Sequence, residues 1–107
     1  QKRGCETAKA GVACKVVDAS TRDYIKEMGY EEYYTHGTGH GLGLEIHTSP
    51  RFSPQSEQIL EINNVMTIEP GIYIAGWGGV RIEDDVIIGE NNCEILNKTS
   101  KDLMIIN

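Results

Sequence analysis

The chain has 107 residues, a formal charge of −6 and a pI near 4.9. That length holds one small domain with a modest core, the acidic balance argues against a nucleic-acid or anionic-membrane partner, and no apolar run approaches the ~20 residues of a membrane helix. Three cysteines, Cys5, Cys14 and Cys93, without a CxxC pair, speak against a disulfide framework or a structural zinc knot and fit reduced thiols in a cytoplasmic protein.

The first residues, Gln1-Lys2-Arg3-Gly4-Cys5, have no apolar segment behind their charges, so no signal peptide is expected. They are not led by Met, which fits a piece of something longer. Residues 1–10 read as the end of a helix, interrupted at Gly11. From Val12 to Met28 the positions Val17, Tyr24, Ile25 and Met28 fall at helical spacing, with Ala13 and Val16 beside them. Lys15, Asp18, Arg22, Asp23 and Lys26 fill the other face, and Gly29 stands where a helix C-terminus favours glycine. Glu31 to Thr35 reads as a short strand or extended approach. Arg51 to Gln58, between prolines and serines, reads as a surface loop.

Val65 to Glu69 is strand-like and stops at Pro70-Gly71, a turn pair. Ile72-Tyr73-Ile74 begins a second strand, Gly76-Trp77-Gly78-Gly79 makes a turn, and Val80 to Ile88 reads as a third, longer strand. Glu90-Asn91-Asn92 turns the chain into Glu94-Ile95-Leu96. In the tail, Leu103 to Ile106 are expected to cover an edge, while Tyr33, Tyr34 and Trp77 are expected in packing. A helix followed by antiparallel-looking strands gives the α+β class.

All three histidines lie in Thr35-His36-Gly37-Thr38-Gly39-His40-Gly41-Leu42-Gly43-Leu44-Glu45-Ile46-His47, interleaved with glycines at alternate positions. Glycine lets a backbone take unusual angles or approach another group closely, and neutral imidazole is a common metal ligand. A phosphate cradle is a poor alternative, because the third glycine of GxGxxG is missing and no clear helix follows. Strand alternation over 80–88 would put Arg81, Glu83 and Asp85 on one face and Val80, Ile82 and Asp84 on the other. Charge on both faces is costly to bury without a metal or a partner. Imidazoles with carboxylates and no thiolate suit Mn, Fe, Co or Zn, and such mixed sites often hold two metals.

Taken in order, the segment from Thr35 to Gly43, then Glu45-Ile46-His47, Thr67-Ile68-Glu69-Pro70-Gly71 and Arg81-Ile82-Glu83-Asp84-Asp85 resemble the second half of the pita-bread (M24) metallopeptidases. The branch they most resemble contains aminopeptidase P and Xaa-Pro dipeptidase (prolidase). The resemblance implies the second half of the pita-bread fold, a helix followed by a curved, mostly antiparallel sheet. Residues 1–107 would be the C-terminal part of the catalytic domain. It implies two divalent metal ions, Mn foremost with Co, Zn or Fe as alternatives, held by His40, Glu69 and Glu83, with Glu83 bridging. His36 and His47 would contact substrate and the tetrahedral intermediate, Glu69 would act as general base, and Arg81 would lie near a substrate carboxylate. Tyr73 would join His36 and Arg81 in the substrate pocket.

The implied substrates are proline-containing dipeptides or peptides, cleaved before the proline by a metal-bridging hydroxide. Two aspartates that the family places before the first helix are absent here, since the only acid before Gly11 is Glu6. Thr48 also departs from the acid that many relatives carry after His47. The isolated chain is therefore expected to be inactive, and to self-associate or dimerise through surfaces a longer chain would cover. Two other readings stand beside this one: a non-catalytic peptide-binding module on the same fold, and an unrelated small β-barrel with a mononuclear His/Glu/Glu site. Arg81 equally reads as an ion-pair partner of Glu83 or Asp85.

Overall fold

Two helices lie on one side of an antiparallel sheet, and a separate β-ribbon extends from the end of two of its inner strands. The structure, a computed structural model, describes all residues from Gln1 to Asn107. Helices α1 (Lys2–Thr7) and α2 (Cys14–Glu27) are followed by a single 3₁₀ turn at Glu31–Tyr33. Strands β1 (Gly39–Gly41), β2 (Thr48–Phe52), β3 (Val65–Ile68), β6 (Asp84–Ile88) and β7 (Cys93–Ile95) form a sheet of order β2-β1-β3-β6-β7. Strands β4 (Gly71–Ile74) and β5 (Gly78–Arg81) pair only with each other. The sheet is open, not a barrel, and no helix is long and apolar enough to cross a membrane.

The core lies between the helices and the sheet. Val17, Phe52, Leu60, Met66, Ile68, Val86 and Ile88 are its buried large side chains, with Cys5, Ala8 and Cys14 among them. Each such aliphatic side chain contributes about 1.5–3 kcal/mol on burial. The central ladder pairs Val65 to Ile68 with Ile87 to Asp84. Met66 and Ile68 therefore face the helices, while Thr67 points to the other side.

Helix α2 starts at Cys14, and its buried stripe is Cys14, Val17, Asp18, Thr21 and Ile25. Tyr24, Met28 and Val16, expected to be apolar core positions, are exposed. The stripe follows helical spacing, but two of its members are polar. Gly29, at φ +84°, closes the helix: its N–H bonds to Lys26 O at 2.9 Å and that of Tyr30 to Ile25 O at 3.0 Å, the paired geometry of a Schellman motif.

Other expectations also need correction. Glu31 to Thr35 is not a strand, because residues 31–33 form the 3₁₀ turn. Arg51 and Phe52 belong to β2, paired with His40 and Gly39, and the loop begins only at Ser53. Pro50 is tolerated because β2 is an edge strand. Residues 80–88 are not one strand. Pro70 has no N–H with which to extend the β3 ladder, which ends at Ile68 opposite Asp84. Beyond it β4 and β5 peel off as the ribbon, with Gly78 and Gly79 already in β5, and Ile82-Glu83 is the break between β5 and β6. The alternation argument for the acids of this stretch therefore lapses. The tail covers no edge: Leu103 to Ile106 are 77–89 % exposed, and Trp77, at the ribbon's tip, is 82 % exposed. Within the tail Lys101 does dock, at 3.0 Å from the buried Asp84 Oδ2, which also receives Gln1 Nε2 at 2.7 Å.

Candidate active site

The glycines of the histidine segment work by close approach. None of Gly37, Gly39 and Gly41 has a positive φ. A Cβ on Gly39 would lie 1.9 Å from Thr67 O, one on Gly37 2.5 Å from Phe52 O, and one on Gly41 2.5 Å from Ser49 O. No side chain fits there, so β1 is drawn against its neighbouring backbones, and His40 is carried to the end of β3 where Glu69 begins.

The segment is also held from behind. Asp18, 1 % exposed, takes the Arg22 fork at 2.7 Å and 3.0 Å, and its Oδ1 accepts the N–H of Thr38 at 3.0 Å and the Thr38 hydroxyl at 2.9 Å. Hydrogen bonding to Asp18 raises Arg22 above the usual arginine value against the opposing effect of burial. Arg22 also donates to the carbonyls of Tyr34, at 3.3 Å, and His36, at 2.9 Å. The hydroxyls of Tyr34 and Thr21 meet Thr38 Oγ1 at 2.6 Å and 2.7 Å. Glu69 donates its N–H to Thr38 O at 2.7 Å, which ties the network to the site.

In front lies a cavity of about 360 Å³, lined in part by His36, His40, His47, Arg51, Glu69 and Arg81. His40 Nε2 lies 3.0 Å from Glu69 Oε1. Its Nδ1 is 2.9 Å from Gly41 O, and a carbonyl can only accept, so the ring proton is there. With Nδ1 committed to Gly41 O, Nε2 is the ring nitrogen turned toward the carboxylate oxygen, and the two form a nitrogen and oxygen donor pair. This donor set fits a divalent metal with nitrogen and oxygen preference.

His36 is arranged differently. Its Nδ1 faces Gly37 O at 2.7 Å and its Nε2 faces Tyr73 Oη at 2.8 Å. By the same reasoning Tyr73 donates to His36, while Arg81 Nη1 donates to Tyr73 at 3.3 Å. Both nitrogens of His36 are engaged, so in this arrangement its ring holds Tyr73 and offers the cavity no free N–H. The exposed His47 sets its ring against His40, with centroids 4.4 Å apart. Arg81 Nε lies 3.7 Å from Glu69 Oε2 and 3.5 Å from Glu83 Oε2. Tyr73 first, then Glu83 and Glu69, hold its guanidinium above the ordinary arginine value.

His40 and Glu69 are therefore brought into contact, and Glu83 joins them through Arg81. No three histidine, cysteine or acid side chains are grouped to hold an ion by themselves. Asp85 pairs across the ladder with Thr67, and its side chain takes no part in the Arg81 ion pairs. Sequence reasoning missed Asp18, Thr38, Thr67 and Arg51. A visible trace of the first was the Asp18–Arg22 pair, an acid and a base at i and i+4. For Thr67 it was the i, i+2 spacing to Glu69 on an extended segment.

Residues 1–90 match the sequence profile of metallopeptidase family M24. The chain is 52 % identical over 104 residues to the Xaa-Pro dipeptidase of Pyrococcus furiosus, covering 97 % of this chain and 30 % of the relative. It superposes on the solved Xaa-Pro dipeptidase from Bacillus anthracis with TM-score 0.95 at 50 % identity, covering 98 % of this chain and 30 % of that one. On the X-Pro aminopeptidase from Thermotoga maritima the TM-score is 0.93 at 43 % identity, with the same coverage. The chain thus spans about 30 % of the length of these relatives. Its α+β fold is the C-terminal part of the pita-bread fold of the prolidases, and the chain belongs to metallopeptidase family M24.

Proposed function

We propose that residues 1–107 are the C-terminal part of the catalytic domain of a metal-dependent peptidase that cleaves the bond before proline in dipeptides or longer peptides. The observation that carries this reading is the His40 Nε2–Glu69 Oε1 approach of 3.0 Å inside a cavity that also presents Arg81 and His47. His40, Glu69 and Glu83 would hold two divalent cations, Mn foremost, together with carboxylates from outside these residues. Such cations supply a hydroxide at neutral pH and polarise the scissile carbonyl.

The chain's own residues supply the rest. Glu69 Oε2, with only a guanidinium at 3.7 Å, is the oxygen free to take a proton and deliver it to the leaving nitrogen. His47 stands beside His40 at the exposed side of the cavity and can donate to the carbonyl oxygen as it gains charge. The Arg81 fork, half exposed, can exchange its two acids for a substrate carboxylate, which it binds in a planar, two-toothed fashion. His36 acts through Tyr73, fixing the hydroxyl against which Arg81 rests. A cavity of about 360 Å³ suits a dipeptide better than a folded protein.

The test is hydrolysis of Leu-Pro and Leu-Ala by the full-length protein, metal-stripped and then reloaded with Mn²⁺. Metal-dependent turnover of Leu-Pro alone is expected. A second reading, a non-catalytic peptide-binding module, is favoured by the Arg81 ion pairs that close Glu69 and Glu83 together. Saturable peptide binding without turnover in any metal would establish that reading instead.

A further inference from the structure

At the site the backbone ladder between β1 and β3 is interrupted. The two strands pair at Gly41 and Met66, and Leu42 N–H bonds to Val65 O at 3.0 Å. One residue back the N–H of His40 finds a side chain instead of a carbonyl: the hydroxyl of Thr67, at 3.0 Å. That hydroxyl oxygen accepts, so its own proton is free to be donated. It goes to Glu69 Oε1 at 2.8 Å, the same oxygen that faces His40 Nε2. Thr67 is 2 % exposed and cannot turn to solvent. A Cβ on Gly39 would lie 3.0 Å from Thr67 Oγ1, so the glycine keeps the space in which the hydroxyl sits.

We propose that Thr67 is a positioning residue: its hydroxyl, locked between the His40 backbone and Glu69 Oε1, aims that oxygen at His40 Nε2 and sets how tightly the pair takes a divalent cation. The assignment rests on the peptidase reading above and adds to it a residue that touches neither substrate nor metal. Threonine suits the place. Its methyl and β-branch fit a strand, and its hydroxyl both accepts and donates, which valine of the same shape cannot do.

The experiment uses the full-length protein, stripped of metal and titrated calorimetrically with Mn²⁺. Thr67→Val is expected to weaken Mn²⁺ binding by about 10- to 100-fold and to lower the urea midpoint of the stripped protein modestly, because the His40 N–H loses its acceptor. Thr67→Ser, which restores the hydroxyl, is expected to recover most of the affinity. Should Thr67→Val fail to fold, Thr67→Ala, which adds no bulk, takes its place in the titration. A folded Val or Ala variant binding Mn²⁺ like the wild type, or a Ser variant as weak as Val, overturns the assignment and leaves the peptidase reading intact. A wild-type protein that takes up none of Mn²⁺, Co²⁺, Zn²⁺ and Fe²⁺ overturns both.

Discussion

Asp18 and Glu69 are two carboxylates tied to one residue, Thr38, and they are treated in opposite ways. Asp18 receives four donors: the two nitrogens of the Arg22 fork, the Thr38 N–H and the Thr38 hydroxyl, all between 2.7 and 3.0 Å. Glu69 receives one close donor, the Thr67 hydroxyl. Its other neighbours are a guanidinium at 3.7 Å and the Nε2 of His40 at 3.0 Å, on a ring whose Nδ1 is engaged with Gly41 O. A carboxylate saturated with donors is fixed in place and serves the fold. One from which donors are withheld is left able to take a cation or a proton. Two residues of like chemistry thus become a strut and, on the peptidase reading, a working group through the number of hydrogen atoms aimed at them.

Glu69→Gln in the full-length protein is the change with the largest expected effect. It preserves shape and the Thr67 contact but removes the charge. Turnover of Leu-Pro should fall by about 10²–10⁴ in kcat, while the urea midpoint of the metal-free protein stays near that of the wild type. An unchanged kcat would end the distinction drawn between the two acids. Asp18→Ala is its mirror and comes next. Removing one member of a buried pair leaves the Arg22 guanidinium uncompensated, at a cost of about 3–5 kcal/mol. The urea midpoint should drop accordingly, and the protein that remains folded should keep far more activity than Glu69→Gln. A variant as stable as the wild type would mean that the Arg22 fork finds solvent as readily as it found Asp18.

These two residues also mark how far the sequence could be read. The meeting of Glu69 with His40 was legible, because the family resemblance puts both residues in one site and the structure brings them to 3.0 Å. Asp18 was not. Hydrophobic periodicity counts an acid as a solvent-facing residue, so Asp18 was assigned to the polar side of α2 and Tyr24 and Met28 to the core. The structure reverses both: besides Arg22 on the same helix, the donors that satisfy the buried Asp18 come from Thr38, in a different segment. The break at Ile82-Glu83 was hidden for a related reason. It depends on Pro70 ending a ladder in another strand, and nothing within 80–88 announces it. The close approaches of Gly37, Gly39 and Gly41 were half visible: the spacing was plain, but only the paired backbones decide between unusual angles and missing bulk.

The smallest predicted effect sharpens the comparison on the Asp18 side. Tyr34 is buried beside Asp18 and Arg22, and its hydroxyl meets Thr38 Oγ1 at 2.6 Å. Tyr34→Phe should cost about 1 kcal/mol at neutral pH, the value of one ordinary buried hydrogen bond. Burial raises the Tyr34 hydroxyl above its ordinary value of 10.0, opposed by its bonds to Thr21 and Thr38. Above pH 10 the unfolded chain therefore loses this proton before the folded one does. Stability from Tyr34 is complete below that value and is lost as pH rises through the folded one. The wild type should accordingly shed its advantage over Tyr34→Phe in alkali, measured as converging urea midpoints between neutral pH and pH 11. Parallel midpoints across that range would mean that the hydroxyl reaches water, and that the cluster around Asp18 is less closed than its four short bonds require.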